Sequence, residues 1–474
     1  MRDLLVFLFV MAMMPTAFRR PYVGLLLFSW LAYMRPQDLC WGFARSMRLS
    51  FLVSAAMLIG WWANEQGKKR FTHWEPRTSM MALLMALVAI SYVQAQVHDE
   101  YTNRYFFEYC KIIVIALFTV GQVDTRQRLK VIFWVIAISL GFYGVKNGLI
   151  GVLKGGGFQI IRGPGGMLLD NNDFALALVM NVPLLWYLGI GEGKEWVRKA
   201  TLCAVGLTVA TILLTHSRGA FLSLCFTTLW IAWRSGHLLR AVAVLILLAA
   251  IFPLVVPEHV LERLATITDT EESSANSRLT AWATALEMIK SNPFWGVGLR
   301  NFLPRVKEYS VVPLAPDDPG HVAHNSYLQI WAESGTIAFV VYMVLLASVF
   351  WTLRRIYRTG RLRPDLAWAS NYARMMEATT VGFAIGAFFL NRGHFDLFYH
   401  WLALVAALNL VVRSAELRPP ELATAAAAPR AASSGLIDVV VPGLRASGAS
   451  SGRRLGAPTG ASAAPGWRKS PGWR

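Results

Sequence analysis

Apolar residues gather along this chain into long stretches separated by short polar gaps. The stretches lack the alternation of a half-buried strand and reach the length of a membrane-crossing helix. Ten are clear: 79–97, 110–124, 131–150, 173–190, 200–216, 219–233, 238–256, 326–352, 375–390 and 396–413. Three earlier ones, 3–18, 22–38 and 49–63, are shorter. The pattern predicts an all-α polytopic membrane protein with about twelve transmembrane helices, or thirteen if all three early stretches cross. The first stretch reads as a membrane helix rather than a cleaved leader, because Arg19 and Arg20 follow it with no small-residue cleavage site.

Loop charge then sets an orientation. Basic loops run over Lys68-Lys69-Arg70, Arg126 to Lys130, Lys194 to Lys199, Arg234 to Arg240 and Arg354 to Arg363. These are predicted to be cytoplasmic, with the C-terminus. The outer side then holds 98–109, 151–172, the turn near 216–219, the long segment 257–325 and 391–395. Two early spans place the N-terminus inside, three outside. The expected organisation is N-terminal helices over 1–256, a cap over 257–325, C-terminal helices over 326–413 and a tail over 414–474. Within the cap, residues 257–323 carry six Lys+Arg and nine Asp+Glu. Leu279, Trp282, Ala283, Leu286 and Ile289 recur at helical spacing and predict an amphipathic helix over 276–291. Asn276 or Ser277 offers its N-cap, and Pro293 ends it. From 415 on, the tail is rich in Ala, Pro, Gly and Ser, a composition of disorder, with eight Lys+Arg against three Asp+Glu. Such a tail either touches the anionic inner leaflet or does nothing specific.

Composition sharpens the class. The 474 residues are 55% hydrophobic and 16% charged, with mean hydropathy +0.43. Soluble proteins carry about 25% charged residues, so a secreted enzyme or a disordered scaffold is excluded. The net charge of +18, from 46 Lys+Arg against 28 Asp+Glu, would suggest nucleic acid in a soluble chain. Here the basic residues sit mostly in short gaps between apolar runs, so they are read as cytoplasmic loops, with no nucleic-acid partner. Four cysteines form no C-x-x-C pair, which argues against a disulfide or zinc framework.

Charge at a membrane boundary is a functional hypothesis by default. Arg218 lies in Thr215-His216-Ser217-Arg218-Gly219-Ala220, where two apolar stretches meet with almost no loop. Small polar neighbours such as Ser217 suit close approach of a phosphate; the alternative is a snorkelling arginine. Arg278 stands at the start of the predicted amphipathic helix, where its charge adds to the positive end of the dipole, or is merely exposed. His324-Asn325 opens the span at 326; a histidine at a cavity mouth serves as a general base or as a hydrogen-bonded interface residue. Asp396, in Asn391-Arg392-Gly393-His394-Phe395-Asp396, orients a histidine, binds sugar hydroxyls or caps the last helix. Arg300 and Arg162 are weaker candidates on outer loops. No P-loop, Asp-x-Asp pair, H-E-x-x-H or C-x-x-C is present, so the expected chemistry uses no metal and no cofactor.

On these residues the chain resembles the bacterial O-antigen ligase family, within the wider group of ligases and polymerases of lipid-linked glycans. The resemblance rests on Ser217-Arg218-Gly219, then Arg278 with Trp282, then His324-Asn325 followed after nine residues by Gly335-Thr336. It covers about residues 75 to 413. Met34-Arg35-Pro36-Gln37 is similar to a subgroup of exosortase-associated O-glycosylation ligases. The resemblance implies a GT-C-like helical glycosyltransferase in the bacterial inner membrane, with its site facing the periplasm. It implies transfer of a glycan from undecaprenyl diphosphate to the lipid A–core oligosaccharide, among membrane lipids. Arg218 and Arg278 would bind the diphosphate and His324 would act as base, with Asn325, Arg300, Asp396 and Ser217 as supporting residues. A protein O-oligosaccharyltransferase or an O-antigen polymerase shares that chemistry. A transporter would instead place ionisable residues at mid-membrane depth.

Overall fold

A computed structural model describes residues 1–239, 242–243, 267–315 and 318–417. Every predicted apolar stretch that falls wholly within them holds an α-helix, although that of 22–38 ends at Tyr33. The helices are α1 (Arg2–Arg19), α2 (Pro21–Tyr33), α3 (Leu49–Asn64), α4 (Pro76–Val93), α5 (Glu100–Gln122), α6 (Arg126–Leu153) and α7 (Asn171–Gly191). They continue with α8 (Glu195–Leu214), α9 (Arg218–Arg234), α10 (Ile267–Ser291), α11 (Ser326–Leu362), α12 (Ala367–Ala387) and α13 (Asp396–Glu416). Among the described residues there is no strand, and one isolated bridge pairs Arg162 with Asp170. Seven helices, α4–α8, α11 and α13, are long and apolar enough to cross a membrane; α2 and α3 are shorter apolar helices. The predicted span 238–256 lies almost wholly outside the described residues, as do the start of the cap and the tail from 418.

Three helices of thirteen residues or more, α1–α3, precede residue 65. Asp3 Oδ1, at the start of α1, accepts from the Gly42 and Ala44 amides ahead of α3, at 2.9 and 3.2 Å. Asn64 Nδ2, at the end of α3, donates to the Phe18 carbonyl at 3.1 Å. The trio buries its own small cluster of Val10, Leu27, Leu31, Leu49 and Val53.

The basic loops meet at one end of the helices. Lys69 pairs with Asp124 at 2.8 Å and Lys130 with Glu192 at 2.6 Å. Arg126 lies over the Trp368 ring, Arg234 pairs with Glu377 at 3.0 Å, and Arg355 pairs with Glu416. The loops poor in basic excess lie at the other end, as the charge pattern requires. Small residues let the helices close up. A Cβ on Gly148 of α6 would come within 2.1 Å of the Leu207 carbonyl oxygen of α8.

The cap helix departs from expectation. α10 begins by Ile267, so Asn276 and Ser277 are not its N-cap and Arg278 lies inside it. Its apolar face is also rotated. Ala281, Ala285, Met288 and Ile289 are buried, whereas Leu279 and Leu286 are exposed. The small side chains of Ala281 and Ala285 permit the close contact, and the leucines remain outside it. Met288 and Ile289 cluster with Val297, Phe302, Val306, Ala323 and Ala332, so the described part of the cap has a core shared with α11.

α11 is broken at Gly335, at φ 81° and ψ 174°. The break frees carbonyls that the cap takes up: the Val297 amide donates to Ala332 at 2.8 Å and the Gly298 amide to Glu333 at 3.0 Å. In return the Thr336 amide donates to the Pro293 carbonyl at 2.8 Å. A Cβ on Gly335 would stand 2.1 Å from the Phe294 carbonyl oxygen. Gly335→Ala should therefore cost at least roughly 2 kcal/mol, from left-handed strain and the clash together. Gly67→Ala, at φ 84° but with nothing within 4 Å, should cost less. Thermal unfolding in detergent checks this; equal midpoint shifts would remove the clash from the account.

Candidate functional site

Four non-glycine residues among those described adopt positive φ: Arg35 at 48°, His216 at 54°, Arg300 at 60° and His324 at 46°. All four carry basic side chains, and all lie at the end away from the basic loops. A left-handed L-residue costs on the order of 1 kcal/mol or more, so its surroundings must hold it there.

His324 is held from both sides. Asn325 N-caps α11, its Oδ1 accepting from the Tyr327 and Leu328 amides at 3.0 and 3.2 Å. That commits the Asn325 oxygen to the helix. Upstream, Trp282 Nε1 donates to the Ala323 carbonyl at 2.7 Å. Trp282 is one turn from Arg278, so α10 brings Arg278 to His324. Desolvation by the surrounding protein and the charge of Arg278 push the His324 imidazole below its usual range, with Asp170 opposing. The nine residues between Asn325 and Gly335 are the short first segment of α11, capped at one end and broken at the other. This is the physical content of the spacing seen in the sequence.

Arg218 is exposed at the first position of α9. Ser217 is the N-cap, its Oγ accepting from the Ala220 amide at 3.4 Å. A Cβ on Gly219 would meet the Phe389 Cβ at 2.7 Å, so the α8–α9 turn lies against the α12–α13 loop. That loop is the common support. Phe388 packs edge-on to Trp282 with centroids 5.3 Å apart. Ser326 Oγ donates to the Leu390 carbonyl at 2.7 Å and accepts from the Arg392 amide at 2.9 Å. The elements carrying Arg218, Arg278 and His324 thus converge on residues 388–392.

Asp396 is the first helical residue of α13, not its cap, which is Phe395. The charges of Arg35, Arg392 and Asp173 all reach it. Arg162 stays exposed, its backbone bridged to Asp170.

Sequence reasoning missed the strongest tie of this loop. The Arg392 guanidinium pairs with Asp173 in the first turn of α7. Desolvation opposes the Arg392 charge, but the hydrogen bond and charge of Asp173 outweigh it and hold the group above its usual pKa. His394, two residues on, is buried against Tyr109 and meets Tyr105 Oη at 3.3 Å. Desolvation, with the charge of Arg300, lowers its pKa to about 3, so it is neutral. A clue to the pair was the lone arginine of an otherwise uncharged turn at 391–395.

Residues 203–343 match the family model described as O-antigen ligase. This segment is similar to O-antigen ligases. It spans Arg218, Arg278, Arg300, His324 and Gly335, a narrower range than the sequence resemblance. Residues 1–190 match a family of unknown function, and no curated protein matches the chain.

The matched segment is supported from outside its own bounds, because Arg392 follows it and Asp173 precedes it. Arg392→Met would strand a buried carboxylate and should cost about 3 kcal/mol. Asp173→Asn combined with Arg392→Met should cost clearly less than the two single losses summed. A double-mutant cycle by unfolding in detergent measures this, and strict additivity would deny the coupling.

Proposed function

We propose that the protein is a glycan ligase that transfers a glycan from undecaprenyl diphosphate to the lipid A–core oligosaccharide at the periplasmic face of the bacterial inner membrane. The observation that carries this reading is the placement of Arg278 beside His324, through the Trp282–Ala323 hydrogen bond, inside the segment similar to O-antigen ligases.

An acceptor hydroxyl attacks the anomeric carbon of the donor, with inversion. His324 takes the hydroxyl proton as the new glycosidic bond forms. The bond to the diphosphate breaks, and the diphosphate leaves with the electron pair. Arg218 and Arg278 bind that growing negative charge, with no metal ion required. The prenyl chain lies among apolar helices, with the headgroup beneath the cap. A base must be neutral before it accepts a proton. The lowered His324 pKa keeps the imidazole neutral at neutral pH and extends its working range to acid.

The test uses purified protein with saturating donor, and lipid A–core or a Ser/Thr peptide as acceptor. Transfer should go to lipid A–core; transfer only to peptide would replace this acceptor. His324→Ala and His324→Gln should each lose about 10²–10⁴-fold in rate while still binding donor. Wild-type rate should fall only below pH ~6.5, the ordinary histidine pKa, and the residual rate of the alanine variant should lack that step. An active glutamine variant removes the base role.

Arg218→Ala and Arg278→Ala should each cost about 2–4 kcal/mol in transition-state stabilisation. The lysine variants should be impaired too, because the planar fork is lost. Near-normal transfer by both alanine variants at matched expression takes the arginines out of the mechanism.

A further inference from the structure

Arg300 stands outside that mechanism, yet its turn is built with unusual rigidity. Its backbone is left-handed, and both flanks are pinned. Upstream, the Gly298 amide donates to Glu333 at 3.0 Å. Downstream, Asn301 Oδ1 accepts from the Val97 amide at 2.8 Å, and Asn301 Nδ2 donates to the Val97 and Leu299 carbonyls at 3.0 and 3.1 Å. Strain held in place this way points from the outlier to a use for the side chain.

That side chain is presented rather than consumed. The guanidinium lies over two rings of α5, 4.7 Å from the centroid of Tyr101 and 4.8 Å from that of Tyr105. Its Nε is buried without a hydrogen-bond partner. Two carboxylates act on it at longer range, and each has other work. Asp99 Oδ1 N-caps α5, accepting from the Thr102 amide at 2.7 Å. Glu333, fully enclosed, takes a hydrogen bond from Gln329 Nε2 at 3.4 Å. A buried guanidinium N–H without a partner is costly unless a ligand completes it.

We propose that Arg300, Tyr101 and Tyr105 form a subsite for an oxyanion carried on a saccharide, such as a uronate carboxylate or a sugar phosphate. The assignment rests on the reading of the protein as a glycan ligase. Stacking fixes the guanidinium plane and leaves its N–H edge to grip a planar oxyanion in a bidentate way. Tyr101 is 58% exposed, so its ring offers a face for the apolar side of a sugar. Tyr105 is oriented by neutral His394. His394 belongs to the same α12–α13 loop that supports His324. The subsite therefore shares its scaffold with the transfer site and selects which glycan is presented there.

The test is binding alone, with no donor and no transfer, in neutral-detergent micelles. Methyl glucuronide and methyl glucoside are compared by ligand-observed NMR titration. Wild type should bind the glucuronide more tightly, by at least roughly tenfold. Arg300→Gln should erase that preference, Arg300→Lys should reduce it, and Tyr101→Ala should weaken binding of both sugars. Arg218→Gln combined with Arg278→Gln should keep the preference. Equal binding of the two sugars by wild type, or an unchanged preference in Arg300→Gln, overturns the proposal. If Arg300→Gln does not fold, Arg300→Lys and Tyr101→Ala decide. Loss of glucuronide binding when phosphatidylglycerol is added to the micelles also overturns it, since the oxyanion is then a lipid headgroup. A protein that binds glucuronide but transfers nothing contradicts only the ligase reading.

Discussion

The exchange of backbone hydrogen bonds at Gly335 governs this structure. A helix interrupted inside a membrane protein exposes polar groups that hydrocarbon cannot satisfy. Here residues 293–298 answer those groups directly, the Val297 and Gly298 amides meeting Ala332 and Glu333. The cap is thereby joined to α11 by main-chain bonds that do not depend on side-chain identity. Because Asn325 caps the other end of the nine-residue segment, the position of His324 follows from the break. The same bonds that make the interrupted helix tolerable hold the site in place.

How much of this was legible depends on how local the signal is. Apolar runs such as 131–150 and 173–190 carry helix, length and burial in their own residues, and both are helices in the structure. That the basic loops share one end was legible too, because basic residues there meet Asp124, Glu192, Glu377 and Glu416. The face of α10 was not. A run holding both Ala281–Ala285 and Leu279–Leu286 offers two stripes, and larger side chains do not decide which one a neighbour approaches. The pairing of Arg392 with Asp173, 219 residues apart, leaves only the lone arginine of the 391–395 turn as a local trace, and nothing local names its partner. The histidine motif was legible as a spacing, but its meaning as a capped and broken helix lies in contacts with the distant cap.

The site also joins two stretches of unlike familiarity. The O-antigen ligase match holds the arginines and the histidine, while the N-terminal stretch of unknown function supplies Asp173, Tyr101, Tyr105 and the charge of Asp170. Residues beyond both, from 388 to 394, bind the pieces together. The candidate site thus draws its side chains from one segment and much of its support from another.

The first three helices have a bearing on how the molecule is made. α1–α3 bury Val10, Leu27, Leu31, Leu49 and Val53 against one another. Chains emerge N-terminus first, and segments that can satisfy their own contacts settle as they appear. This trio can close as soon as α3 has left the ribosome, before a residue of the ligase segment exists. The later helices then add to a unit that is already packed rather than finding one another first.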